Sequence, residues 1–467
     1  MTTTGTTPPD QRPHARRPSP PGARPGARDL YAVAAVAALV LAASLIGVEI
    51  QRHGQILYVD APPLYAEWLP HVGPGTPAAL LVAAAVVAYG PPLAARLGPR
   101  ALPLAVWAAS AAWCWSLALV DGWQRGVAGR LLQRHEYLLG TDRFDPLLPA
   151  LRTFTDHILI DSVDHWPAHI AGHPPGAVLT FVGLDRMGLG GGAWAAVWCL
   201  TVGSSAAAAV LCTLRTLGGD VLARRAAPFL VLTPAAVWIG VSADGYFAAV
   251  GAWALALLAG AATGTARKPR LTAAASGLLF GILCHLSYGL VLFALPALAV
   301  LLLARSARPL APALAGVCAV ALPFALCGFN WWEAYHLLTA RYYQGVAATR
   351  PYAYWVWANL ACTALATGPA AAAGVRRLLA RTPRAVTRLR ARRARGADRA
   401  TLLVAALLAA LLLADASGMS KGETERIWLP FMVWLPAACA ALHRNRSWLA
   451  AQAALALLLN HLLLTGW

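Results

Sequence analysis

Charged side chains (Asp, Glu, Lys and Arg) are scarce in this chain, at 12% of its residues, and they gather at a few places. Asp121, in LALVDGWQRG, opens a polar stretch with Arg125, Arg130, Arg134, Glu136 and Asp142. A carboxylate at a membrane surface can take a proton from a sugar or lipid hydroxyl, given reach and a suitable pKa. The plain structural reading of the same residues is a turn at Asp121-Gly122. In DHWPAHIAGHPPG (164–176), His165, His169 and His173 recur every fourth residue, behind Asp156, His157, Asp161 and Asp164. That spacing places three imidazoles on one helical face, a possible metal or substrate site. Pro167, Gly172 and Pro174 interrupt the helix it needs, which favours substrate hydrogen bonding or capping.

Three further places complete the set. Asp244, in VSADGYF, lies at a helix start, where it either caps or serves a site. Arg341 and Arg350 lie in the aromatic segment NWWEAYHLLTARYYQGVAATRPYAYW (330–355). The aromatics fit an interfacial belt, while guanidiniums fit phosphate oxygens in forked pairs. Lys421, Glu423, Glu425 and Arg426 crowd the turn SGMSKGETERIW (417–428), and Lys421 is one of two lysines in the chain. Lys421 and Arg426 suit a phosphate or diphosphate, with the two glutamates orienting them or meeting sugar hydroxyls. A solvated turn with weak surface ion pairs is the alternative.

The elements that position these residues are set by hydropathy. Hydrophobic residues are 58% of the chain, more than a soluble domain can hide. The spacing predicts an all-α, polytopic transmembrane bundle of about thirteen spans. They fall near 30–50, 76–96, 101–121, 192–214, 222–242, 245–263, 271–287, 288–305, 309–328, 353–374, 400–415, 426–442 and 447–464. The net charge of +18 sits in an N-terminal tail and in short turns beside apolar runs. That matches the positive-inside rule and argues against nucleic acid. Residues 1–28 read as a disordered cytoplasmic tail leading into a retained signal anchor, and 29–467 as one membrane domain. With the tail inside, Arg96, Arg100, Arg215, Arg224, Arg225, Arg267, Lys268, Arg270, Arg305, Arg308, Arg444, Arg446 and the basic loop 376–399 all fall on the cytoplasmic side. This holds only if the short apolar segment 174–188 lies along the outer interface instead of crossing. The segments 51–75, 122–191, 329–352 and 416–425 then face outward in the cell membrane. The eight cysteines show no CxxC and no zinc spacing, and read as small buried hydrophobes.

Taken together, several features resemble the GT-C superfamily of membrane glycosyltransferases. They are the span-emerging Asp121, the long outer loop after it, HPPG (173–176) opening a juxtamembrane helix, and Asp244 after a Pro-containing span. NWWEAY, RYYQG, RPYAYWVW and SGMSKGETERIWLPF are similar to segments of family-39-like membrane proteins of actinobacteria. The resemblance covers most of residues 101–467. It departs at two points: two extra spans precede Asp121, and Gly122 stands where a paired acid is expected.

The resemblance implies an extracytoplasmic loop of juxtamembrane helices and a polyprenyl-phosphate sugar as donor. It also implies a glycan, lipid or protein acceptor and inversion by single displacement. Asp121 would be the general base, with Glu136 in reserve. Lys421, Arg426 and Arg341 would offset charge on the leaving phosphate. No cofactor is demanded, although a divalent cation, Mg or Mn, is compatible. The rival reading is a transporter or flippase of a lipid-linked or polar solute. It expects charges lining a path through the bilayer midplane, whereas here the spans are nearly charge-free.

Overall fold

The computed structural model describes residues 26–442 and 445–466. Most of the expected disordered tail, and Arg444, lie outside the described residues. The chain is an almost wholly helical bundle. Seven described helices are long and apolar enough to cross a membrane: Ala27–Arg52, Thr76–Arg96, Ala101–Asp121, Gly192–Gly218, Ala243–Thr263, Pro269–Leu286 and Gly396–Ala416. An eighth is added if Leu310–Leu326 and Trp331–Gln344, bent by 76° at their junction, count as one span. The first helix is peripheral, with 11% of its apolar window buried, while Ala243–Thr263 is central, at 72%.

Several other apolar stretches do not form long helices. The expected span 222–242 is the helix Asp220–Val231 followed by a single turn, Ala236–Ile239. The expected span 426–442 is two single turns, Thr424–Ile427 and Leu429–Met432, and the 3₁₀ stretch Leu435–Ala441. Pro228 and Pro234 fall in the first segment, Pro430 and Pro436 in the second, and each removes a backbone donor. Residues 226–249 and 428–440 are buried without interruption. Irregular backbone in an apolar setting is tolerated where protein covers it.

Arginines from several turns close one end of the bundle. Arg224 Nη1 donates to the carbonyls of Ala94 and Leu97, at 2.8 and 2.7 Å, where the Thr76–Arg96 helix ends. Arg225 donates to Leu442 O, Arg377 to Ala441 O and Arg305 to Leu389 O. Arg376 and Arg377 also hold Asp29, which is 1% exposed. Cations at carbonyl-rich helix ends oppose the helix dipole.

Most of the expected site residues gather away from these arginines. Residues 122–191 form a chain of short turns and helices with an aromatic core, in which Phe144 and Trp166 stack at 5.3 Å and Arg143 lies over the Trp166 ring. Gly176–Arg186, begun after Pro174-Pro175, has 11 residues, about 16 Å at the helical rise and too short to cross alone. A two-stranded antiparallel clasp pairs Ala66–Trp68 with Leu463–Thr465.

Candidate functional site

The expected site residues fall into two groups. The first is buried and centres on Arg426, at the break between Thr424–Ile427 and the preceding loop. Arg426 Nη1 donates to Asp244 Oδ2, and Nη2 lies 3.6 Å from Glu423 Oε2. Nη2 also lies 3.4 Å from His169 Nε2. A guanidinium has only donors, so His169 Nε2 accepts and its proton sits on Nδ1. That nitrogen lies 3.0 Å from Glu136 Oε2. Burial by itself would raise the Glu136 carboxyl; His169 and Arg426 reverse this and hold it below its ordinary value. His173 Nδ1 lies 3.1 Å from Tyr137 Oη and 2.8 Å from His169 O. Burial pushes the His173 imidazole down to about 4, so it is neutral at physiological pH.

Local folding explains how these side chains meet. Ser242 caps the Ala243–Thr263 helix by accepting from Gly245 N, which leaves Asp244 in the first turn free to take Arg426. Glu423 adopts φ +60°, a left-handed conformation costly for a side chain with a Cβ, beside Gly422 at φ +88°. Asn359 fixes that turn: its Nδ2 donates to Ser420 O, and its Oδ1 accepts from Gly422 N.

The same turn shows that the expected phosphate-binding cations are engaged by protein. Arg350 donates to Leu57 O, Tyr58 O, Lys421 O and Glu423 Oε1. Lys421 Nζ donates to Ala347 O at 2.9 Å and lies over the Tyr343 ring. Burial also dominates at Glu425, whose Oε1 accepts from Tyr65 N while Oε2 has no hydrogen-bond partner among the described residues; its carboxyl is pushed up to about 7.

The second group is built on Asp121, whose partners Arg125 and Arg130 line a cavity of about 390 Å³. Asp121 Oδ1 lies 2.7 Å from His71 Nε2, Oδ2 accepts from Arg130 Nη2 at 2.9 Å, and Arg125 is 3.7 Å away. His71 Nδ1 faces Leu69 O at 2.7 Å. Arg130 is 6% exposed and also donates to Thr465 O. The cavity is lined by Asp60, Tyr65, Glu67, Gln124, Arg125 and Arg130, among others, over a floor of Leu464–Gly466.

The structure therefore brings Glu136, His169, His173, Asp244, Glu423 and Arg426 together and places Asp121 apart from them. Tyr65 joins the two groups: it lines the cavity, and its backbone bonds Glu425. His165 is exposed, and Arg341 donates to Trp166 O; neither joins a group. The every-fourth spacing of the histidines does not make one face, because the only helix there is Ala168–Ala171. His71, Tyr65, Asp60, Glu67 and Tyr137 belong to the site area without having been singled out from sequence. Their only signal is the polar character of 51–75 and the proximity of Tyr137 to Glu136.

Asp121, Glu136 and Asp244 are not free to hold a divalent cation. Both oxygens of Asp121 face cationic or imidazole nitrogens, and Glu136 and Asp244 are likewise paired. Among the described residues no three His, Cys, Asp or Glu side chains are grouped for a metal. No protein-family model matches the chain, and no curated protein matches it.

Proposed function

We propose that the protein transfers a sugar from a polyprenyl-phosphate donor to an acceptor on the extracytoplasmic side, with inversion. One observation carries this reading: two guanidiniums, Arg125 and Arg130, line a cavity, and both pair with the carboxylate of Asp121 beside it. In the reading, the arginine-closed end faces the cytoplasm, the cavity faces outward and Gly176–Arg186 lies along the outer interface. The broken segments 222–242 and 426–442 supply the further traverses toward the expected thirteen.

The chemistry needs two charges in different places. Asp121, held by His71 and Arg130, takes the proton from the acceptor hydroxyl as the new glycosidic bond forms. The lipid phosphate leaves with the electron pair of the broken bond, and Arg125 and Arg130 offset its charge. These two take the role expected of Lys421, Arg426 and Arg341. Glu136 is sealed against His169, whereas Asp121 contacts the cavity-lining Arg125 and Arg130, which favours Asp121 over it as the base.

The two broken, largely buried segments are the observation that favours the rival reading, a transporter or flippase, since discontinuous helices build transport sites. Transfer from a radiolabelled polyprenyl-phosphate sugar, measured in membranes, separates the readings. Label appearing on acceptor supports the transferase. Label crossing proteoliposomes without transfer replaces it with the flippase.

A further inference from the structure

The Asp121 cavity has a division of charge that glycosyl transfer by itself does not call for. Asp60 and Glu67 come from the chain around the Ala66–Trp68 strand, and Arg125 and Arg130 from the turns after Asp121. The chain at 464–466 lies between them. On one side Gly466 N donates to Tyr65 O at 3.2 Å. On the other, Arg130 Nη1 donates to Thr465 O at 2.7 Å and Gln133 Nε2 to Gly466 O at 3.5 Å.

Two carboxylates thus face two guanidiniums across a strand, and no ion pair joins the two walls among the described residues. Arg125 and Arg130 pair with Asp121 instead. Asp60 and Glu67 make no ion pair or side-chain hydrogen bond among the described residues. Arg130 is more than nine-tenths buried, yet its Nε has no hydrogen-bond partner among the described residues. A buried guanidinium donor left unmatched is costly unless a ligand meets it.

A neutral sugar would compensate neither wall, and a purely anionic group only one. A ligand with an ammonium on one side and a phosphate on the other satisfies both. Phosphate oxygens meet guanidinium N–H groups in short, charge-assisted bonds, and an ammonium meets carboxylates in the same way. The volume, about 390 Å³, lies within the range of small-molecule pockets. We propose that this cavity binds a substrate bearing a cationic amine beside a phosphate, the chemistry of an amino-sugar phosphate headgroup. The inference rests on reading the cavity as the transferase's substrate site.

The test is a binding measurement that needs no turnover. Glucosamine 1-phosphate, N-acetylglucosamine 1-phosphate and glucose 1-phosphate are titrated calorimetrically into the full-length, detergent-solubilised protein. The amine-bearing probe should bind at least about tenfold tighter than the other two, roughly one decade in Kd. The double variant D60N/E67Q should bring the three within about twofold of one another and leave glucose 1-phosphate affinity unchanged. R125Q should weaken all three alike. Equal affinity for the three probes, a preference that survives D60N/E67Q, or no binding of any probe overturns the inference. Amine-selective binding with no transfer from any polyprenyl-phosphate sugar leaves this site standing and removes the transferase reading instead.

Discussion

Two groups of ionisable residues lie within one bridging residue of each other, and they differ in what satisfies their charge. Around Arg426, each carboxylate has a protein partner: Asp244 and Glu423 the guanidinium, Glu136 the His169 imidazole. Beside Asp121, Arg125 and Arg130 reach a cavity wall, and Asp60 and Glu67 face the same cavity with no ion pair among the described residues. A closed network fixes geometry, since a half-satisfied buried one would be worse than none. An open one leaves interactions for a substrate. In the proposed reading the residues richest in apparent chemistry, Glu136, His169 and Arg426, are the scaffold, and the plainer Asp121 is the working group.

The comparison breaks most readily at Asp121. Asp121→Asn keeps shape but removes basicity, and turnover should fall by about 10²–10⁴-fold, read as label transferred per folded chain. Glu136→Gln should instead lower folded yield while activity per folded chain stays near that of the wild type. The reverse pattern would exchange the roles of the two groups.

Next in size is the closed network itself. Arg426→Ala leaves Asp244 and Glu423 buried without their cation, a change worth about 3–5 kcal/mol when a buried pair loses one partner. The expected outcome is loss of monodisperse protein on size exclusion, with any surviving fraction melting well below the wild type.

Glu425 sharpens the contrast through pH. Burial raises its carboxyl to about 7, so its folded pKa lies above the unfolded value. The stability tied to its neutral form is present at acidic pH and lost as pH rises through about 7. Glu425→Gln should therefore melt higher than the wild type at pH 8 and close to it at pH 5, with a difference of order 3 kcal/mol. Equal melting temperatures at both values would show that the carboxyl titrates normally.

The smallest effect is expected at Lys421. Its ammonium is committed to Ala347 O, so Lys421→Ala should cost about 1–2 kcal/mol of stability and leave KM for the donor unchanged. A raised KM would return Lys421 to the phosphate site that its sequence suggested.

The sequence made the membrane character and much of the helix layout readable, because length and apolarity alone mark Ala27–Arg52, Thr76–Arg96 and Gly396–Ala416. The basic turns were readable as a set, and several of them do bind helix-end carbonyls at one end. The segments 222–242 and 426–442 looked the same by composition, yet the first is interrupted around Pro234 and the second, which carries Pro430 and Pro436, forms only short turns. Hydropathy counts apolar side chains and does not register a missing backbone donor.

In the candidate site, residue types were visible but pairings were not. Asp244 and Arg426 stand 182 positions apart, and no local pattern says that one takes the other. Lys421 and Arg350 looked like free cations because the carbonyls that hold them, Ala347 O, Leu57 O and Tyr58 O, belong to loops without a motif. His71 was invisible for the same reason.

The clasp between Ala66–Trp68 and Leu463–Thr465 has a consequence in time. The carboxylate wall is synthesised early and the guanidinium wall soon after, but the floor that separates them arrives only after Asn445–Leu462. A nascent chain therefore carries every charged group of the cavity while lacking the strand that keeps them apart.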